Sequence, residues 1–150
     1  MRRTLWLSLL SGVSLLLLAA GASAQTPAAS NPPPNAGLFN AVTGNWAWEG
    51  TSCADSAHKL SFSENNTRMI YTAPKPFKSA TGEMTSISRY RVLYAEENRI
   101  TAYIEGETRR TAAGDRVIWV LVLQDPKTYV WRRTDWPAGN ATKKILRCGS

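Results

Sequence analysis

One histidine, two cysteines and three methionines are scattered over 150 residues. A single imidazole and two thiols far apart in the chain make no cluster with metal-ligand spacing, so neither a metal nor a cofactor is expected. The paired carboxylates Glu96-Glu97 and Glu105-x-Glu107 fall in or beside turn segments, where solvation accounts for them. Long runs of helical period are missing, and Glu105 to Arg110 has room for one turn at most. Basic residues stand singly or in pairs (Arg109-Arg110, Arg132-Arg133, Lys143-Lys144) and are mixed with acids, which is the pattern of a solvated surface. Without clustering on one face, a nucleic-acid partner is not expected.

Residues 1–24 have the three parts of a secretory signal peptide: Arg2 and Arg3, an apolar run from Leu5 to Ala20, and Ala22-Ser23-Ala24 before Gln25. Ser8, Ser11, Gly12 and Ser14 interrupt the run, so cleavage is expected rather than stable membrane insertion. Export to the periplasm or the medium follows. Without Arg2 and Arg3, sixteen basic residues face eleven acidic ones, a net charge of +5. The stretch QTPAASNPPPNAG offers nothing to bury, and 25–40 reads as a disordered tether rich in Pro, Ala and Asn. Residues 41–150 then form one domain of roughly 110 residues, enough for a modest core.

An oxidising compartment makes Cys53 and Cys148 a disulfide between the first and last elements. Such pairing removes the one thiol that a nucleophilic enzyme with His58 as base would need. No catalytic residue is assigned, and the protein is expected not to be an enzyme.

From residue 44 onward, apolar residues alternate in short runs separated by turn chemistry. Trp46 and Trp48 open the series. Leu60 and Phe62 lead through Glu64-Asn65-Asn66 into Thr67 to Thr72, a hairpin whose turn residues tolerate left-handed backbone angles. Ala73-Pro74-Lys75-Pro76 breaks the pairing, and residues 78–85 form a polar loop around Gly82. Tyr90, Val92 and Tyr94 share one face of the next strand, which turns at Glu96-Glu97-Asn98 into Arg99 to Glu105. Arg116 to Leu123 is apolar at nearly every position and should be covered on both faces or lie centrally. Tyr129 to Arg133 and Lys143 to Cys148 complete seven or eight strands. Consecutive hairpins of this spacing favour an antiparallel up-and-down barrel or a sandwich, and closure removes exposed edges. A disulfide between the two ends of the sheet supports closure.

Gly44-Asn45-Trp46 resembles the G-x-W signature of lipocalins and their calycin relatives. The resemblance implies a barrel whose floor is plugged by Trp46, with an arginine from a late strand stacked over the indole. Arg132, Arg133 and Arg147 are the candidates. If Cys53 and Cys148 are direct cross-strand partners, Arg147 falls beside Ala54, which leaves Arg132 or Arg133 for the floor. The family's turn motif of T-D-Y type between the middle strands is not visible, and the chain is short for the group.

The expected function is that of an exported lipocalin-like binding protein for a small apolar or amphipathic ligand. Trp48, Tyr71, Trp119 and Trp131 would line a cavity, or else fill the interior outright. The alternative is an envelope protein-binding module, of inhibitor or immunity type. It would act through Arg133 to Pro137, where Trp136 and Arg133 supply residues typical of interface hot spots. The oligomeric state is left open.

Overall fold

The structure is a computed structural model that describes residues 35–149. The expected signal segment, 1–24, and residues 25–34 of the expected tether lie outside the described residues.

Eight strands close into one antiparallel barrel: β1 (Gly44–Trp48), β2 (His58–Ser63), β3 (Arg68–Lys78), β4 (Met84–Glu96), β5 (Arg99–Ile104), β6 (Trp119–Asp125), β7 (Thr128–Arg133) and β8 (Ile145–Arg147). Each pairs with its neighbours in sequence, and β8 closes the ring on β1. The alternation read from the sequence is the inside and outside of this barrel. Trp46, Leu60, Met69, Ile100, Leu121, Tyr129 and Ile145 point inward and are fully buried.

Two helices interrupt the all-strand expectation. α1 (Ala36–Val42) lies partly within the stretch expected to be a tether up to residue 40, and it buries Leu38, Phe39 and Val42. Seven residues are far too few to hold a helix in water, so packing holds it. Phe39 meets Phe62 edge-on at 4.9 Å, and Leu38 and Val42 join the same core cluster. α2 (Cys53–Ser56) is a single turn whose N-cap Ser52 accepts a hydrogen bond from the Ala54 amide.

Short turns and long connections segregate to opposite ends. At the α1 end the β2–β3 turn holds Glu64, Asn65 and Asn66 at positive φ, as the turn chemistry predicted, and β4–β5 and β6–β7 turn within two residues each. At the other end lie the connections 79–83, 105–118 and 134–144. One end is therefore plugged and the other is ringed by loops.

Several local expectations change. Pro74 and Pro76 do suspend the ladder, since neither can donate, but β3 continues past them and pairing with β4 resumes at Phe77↔Thr85. A second register shift between Val92 and Tyr94 turns Tyr94 off the face it was expected to share with Tyr90 and Val92. Tyr94 is accordingly 55% exposed. β6 begins at Trp119 rather than Arg116, although Val117 is fully buried beside it. Its outward residues Val120 and Val122 are half-buried, flanking a depression that Gly139 and Ala141 also line. This is how an almost wholly apolar strand is accommodated.

Candidate functional site: the plugged floor and the open cavity

The disulfide forms between Cys53 and Cys148, with the two Cα atoms 5.8 Å apart. Cys53 is not a continuation of β1. After Trp48 the chain turns through Gly50 at φ 86° into α2, while the Cys148 amide donates to the Asn45 carbonyl. The cysteines are therefore not direct cross-strand partners. Arg147 pairs with Trp46 itself.

This register overturns the choice of floor arginine. Arg147, not Arg132 or Arg133, lies over the Trp46 ring, its guanidinium carbon 4.2 Å from the centroid. Its Nε donates to the Pro126 carbonyl at 3.0 Å, Nη1 to Thr43 at 3.2 Å, and Nη2 to Ala41. Trp46 Nε1 donates to the Val42 carbonyl at 2.8 Å. α1 has no basic residue in its own last turn, and the carbonyls at its end are met by Thr43 and Trp46 nearby and by Arg147 from the far end of the chain. Gly44 is part of the same fit. Its φ is 138°, and a Cβ there would stand 2.8 Å from Arg147 Nη1. Arg132 is instead on the outer side, in the depression beside Val120 and Val130. Arg133 reaches the opposite end of the barrel, where it pairs with Asp135 at 2.7 Å and lies 5.9 Å from the Trp119 ring.

A layer of buried polar aromatics lies between this floor and the open end. His58 is 1% exposed and stacked on Tyr71 at 4.6 Å; its Nε2 shares a 2.7 Å hydrogen bond with Tyr129 Oη, and Nδ1 has no partner. Burial holds the imidazole neutral, its pKa lowered to about 4. Burial also raises the Tyr71, Tyr90 and Tyr129 phenols, so all three stay protonated.

Above this layer the barrel is hollow. A cavity of about 570 Å³ lies inside the loop-ringed end. Its walls are Trp48, Tyr71, Tyr90, Ile104, Trp119 and Trp131. Four of the five aromatic candidates from the sequence converge here. The fifth, Trp136, does not line the cavity and packs edge-on against Trp119 at 6.0 Å. Tyr90 stacks on Trp131 at 5.3 Å with an interplanar angle of 14°. The tip of the β3–β4 hairpin, Phe77 to Gly82, forms one side of the mouth, with Thr108 and Arg109 among the residues that complete the lining.

Sequence reasoning missed Lys78, Tyr90 and Arg109 as site residues. Tyr90 was within reach, because it sits directly opposite Met69 and its neighbour Ser88 opposite Tyr71 once the hairpin is registered. Lys78 and Arg109 carried no such signal: Lys78 stands at the end of β3 beyond the register shift at Pro74 and Pro76, and Arg109 lies in the connection 105–118. Cys53, lacking a free thiol, cannot act as a nucleophile with His58. Among the described residues, no three His, Cys, Asp or Glu side chains converge into a metal-holding group.

No protein-family model, curated protein or solved structure matches this chain.

Proposed function

We propose that the protein is an exported, non-enzymatic binding protein that takes a small apolar or amphipathic molecule into the open end of its barrel. The cavity carries this reading. Its volume, about 570 Å³, lies in the range of small-molecule sites, and its walls are aromatic and aliphatic with a few polar groups near the mouth. At the plugged end the interior is occupied by a cluster of buried side chains that includes Phe39, Trp46 and Tyr129. The disulfide agrees with an oxidising compartment such as the periplasm or the exterior. The stacked Trp46 and Arg147 agree with the lipocalin-like resemblance of Gly44-Asn45-Trp46, with Arg147 in the late-arginine role.

The alternative, an envelope module working through Arg133 to Pro137, has less support. Arg133 is engaged with Asp135 and Trp136 with Trp119.

Titration with a neutral fluorescent apolar dye tests the binding reading. Saturable binding at one site is expected, accompanied by a change in tryptophan emission. Ile104→Trp, which fills the cavity, should abolish binding while preserving the near-ultraviolet dichroism of the folded state. Failure to saturate at any dye concentration would remove the proposal.

A further inference from the structure

We infer that the ligand is an amphiphile with a single negative charge, its anionic head held at the mouth between Lys78 and Arg109 and its apolar body laid against the aromatic walls. The inference rests on the binding reading above and names the chemical class that the cavity selects.

Lys78 and Arg109 are the charged residues of the cavity lining, and no carboxylate joins them. Among the described residues Lys78 makes no ion pair. Arg109 does have a carboxylate partner, Glu107, but that side chain is turned inward. Glu107 is 1% exposed along its side chain, its Oε2 accepts from Trp119 Nε1 at 3.2 Å, and its Oε1 faces Arg109 Nη2. Glu107 therefore contacts both Arg109 and Trp119 while staying out of the cavity lining. The Arg109 side chain stays 51% exposed, which leaves guanidinium donors on its outer side. With Arg109 paired to Glu107, Lys78 is the charge of the lining that has no carboxylate partner, which suits a monoanion. Hydroxyl groups of Ser79, Thr81 and Thr108 stand at the same mouth.

A cavity lined by tryptophan and tyrosine also suits a quaternary ammonium group, held over ring faces. Two observations count against that occupant. A cationic head would have to pass Lys78 and Arg109. Two of the wall rings are also engaged already: Trp131 by Tyr90 in a near-parallel stack, and Trp119 by the guanidinium groups of Arg109 and Arg133, each 5.9 Å from its centroid. The net positive charge of the chain favours approach of an anion as well.

Calorimetric titration of the intact protein with decanoate, decanol and decyltrimethylammonium at neutral pH separates the possibilities. Decanoate should bind tighter than decanol by about three- to tenfold at low salt, the worth of one partly exposed charge-assisted hydrogen bond. That ratio should shrink at high salt and fall toward unity in Lys78→Gln. Arg109 is probed with the double variant Glu107→Gln/Arg109→Gln, because removing the arginine alone would strand a buried carboxylate. The double variant should lower the ratio too. A ratio of one or less in the native protein, a ratio unmoved in both variants, or tightest binding by the ammonium compound would each overturn the inference while leaving the cavity reading intact. Binding of none of the three would instead count against the cavity reading itself.

Discussion

Arg147 lies over Trp46 and reaches, through one guanidinium, the carbonyls of Ala41, Thr43 and Pro126. Residues more than a hundred positions apart thus share one contact set that joins α1, the start of β1, the β6–β7 turn and the end of β8. The planar fork explains why arginine is used. Three donors at fixed angles meet three carbonyls while the flat face covers an indole, which an ammonium group cannot reproduce.

Arg147→Lys should therefore destabilise the protein nearly as much as Arg147→Ala, by about 1 to 3 kcal/mol, since neither side chain can bond the three carbonyls at once while covering the Trp46 ring. Urea unfolding followed by tryptophan emission measures this. A lysine variant as stable as the native protein would show that charge, not the fork, is what matters.

Gly44→Ala should cost about 1 to 3 kcal/mol, through a positive φ that a side chain resists and a Cβ 2.8 Å from Arg147 Nη1. Arginine ends usually move aside cheaply, but this one is tied to carbonyls. Part of the cost should accordingly vanish in the Arg147→Ala background. Strict additivity in the double-mutant cycle would refute the steric coupling.

Removing the disulfide in Cys53→Ala/Cys148→Ala frees a closure spanning 95 residues. On the chain-entropy account the loss is on the order of 4 kcal/mol. β8 contributes three residues, only two of which pair with β7, so the seam between β7 and β1 should open first. Hydrogen exchange should show the amides of Arg147 and Cys148 losing protection ahead of β3 and β4. Uniform loss across all strands would contradict a local seam.

Acid should weaken the fold through His58. Its pKa is about 4 when folded and about 6.5 when unfolded, so between those values the unfolded chain binds a proton that the folded protein refuses. The contribution is fully present above pH 6.5 and is lost progressively as pH falls to about 4, by up to roughly 3 kcal/mol. His58→Gln, which can still hydrogen-bond Tyr129 Oη, should flatten the stability profile in that window. An unchanged difference in urea midpoint between pH 7 and pH 5 would rule out His58 as the source.

Part of the site was legible because alternation on a strand is a local property. Trp48, Tyr71, Trp119 and Trp131 all lie on inward faces, and once the sheet closes they must meet. Arg147 was misplaced for an equally physical reason. Its register was counted from Cys53 as though β1 ran on unbroken, whereas the turn at Gly50 and the helical turn α2 reset the count. Tyr94 failed in the same way, since one extra residue between Val92 and Tyr94 exchanges inside for outside.

The sequence by itself determined the strand periodicity, the tight turns at the α1 end and the pairing of its two cysteines, because these follow from backbone preferences within a few residues and from counting thiols. Only the tertiary structure decided that α1 forms, that Arg147 covers Trp46, and that the aromatics leave a cavity instead of filling it. A seven-residue helix is stable only against a core. Whether inward-pointing rings meet or leave space depends on the radius of the closed sheet and on where the β3–β4 hairpin tip and the connection 105–118 come to rest.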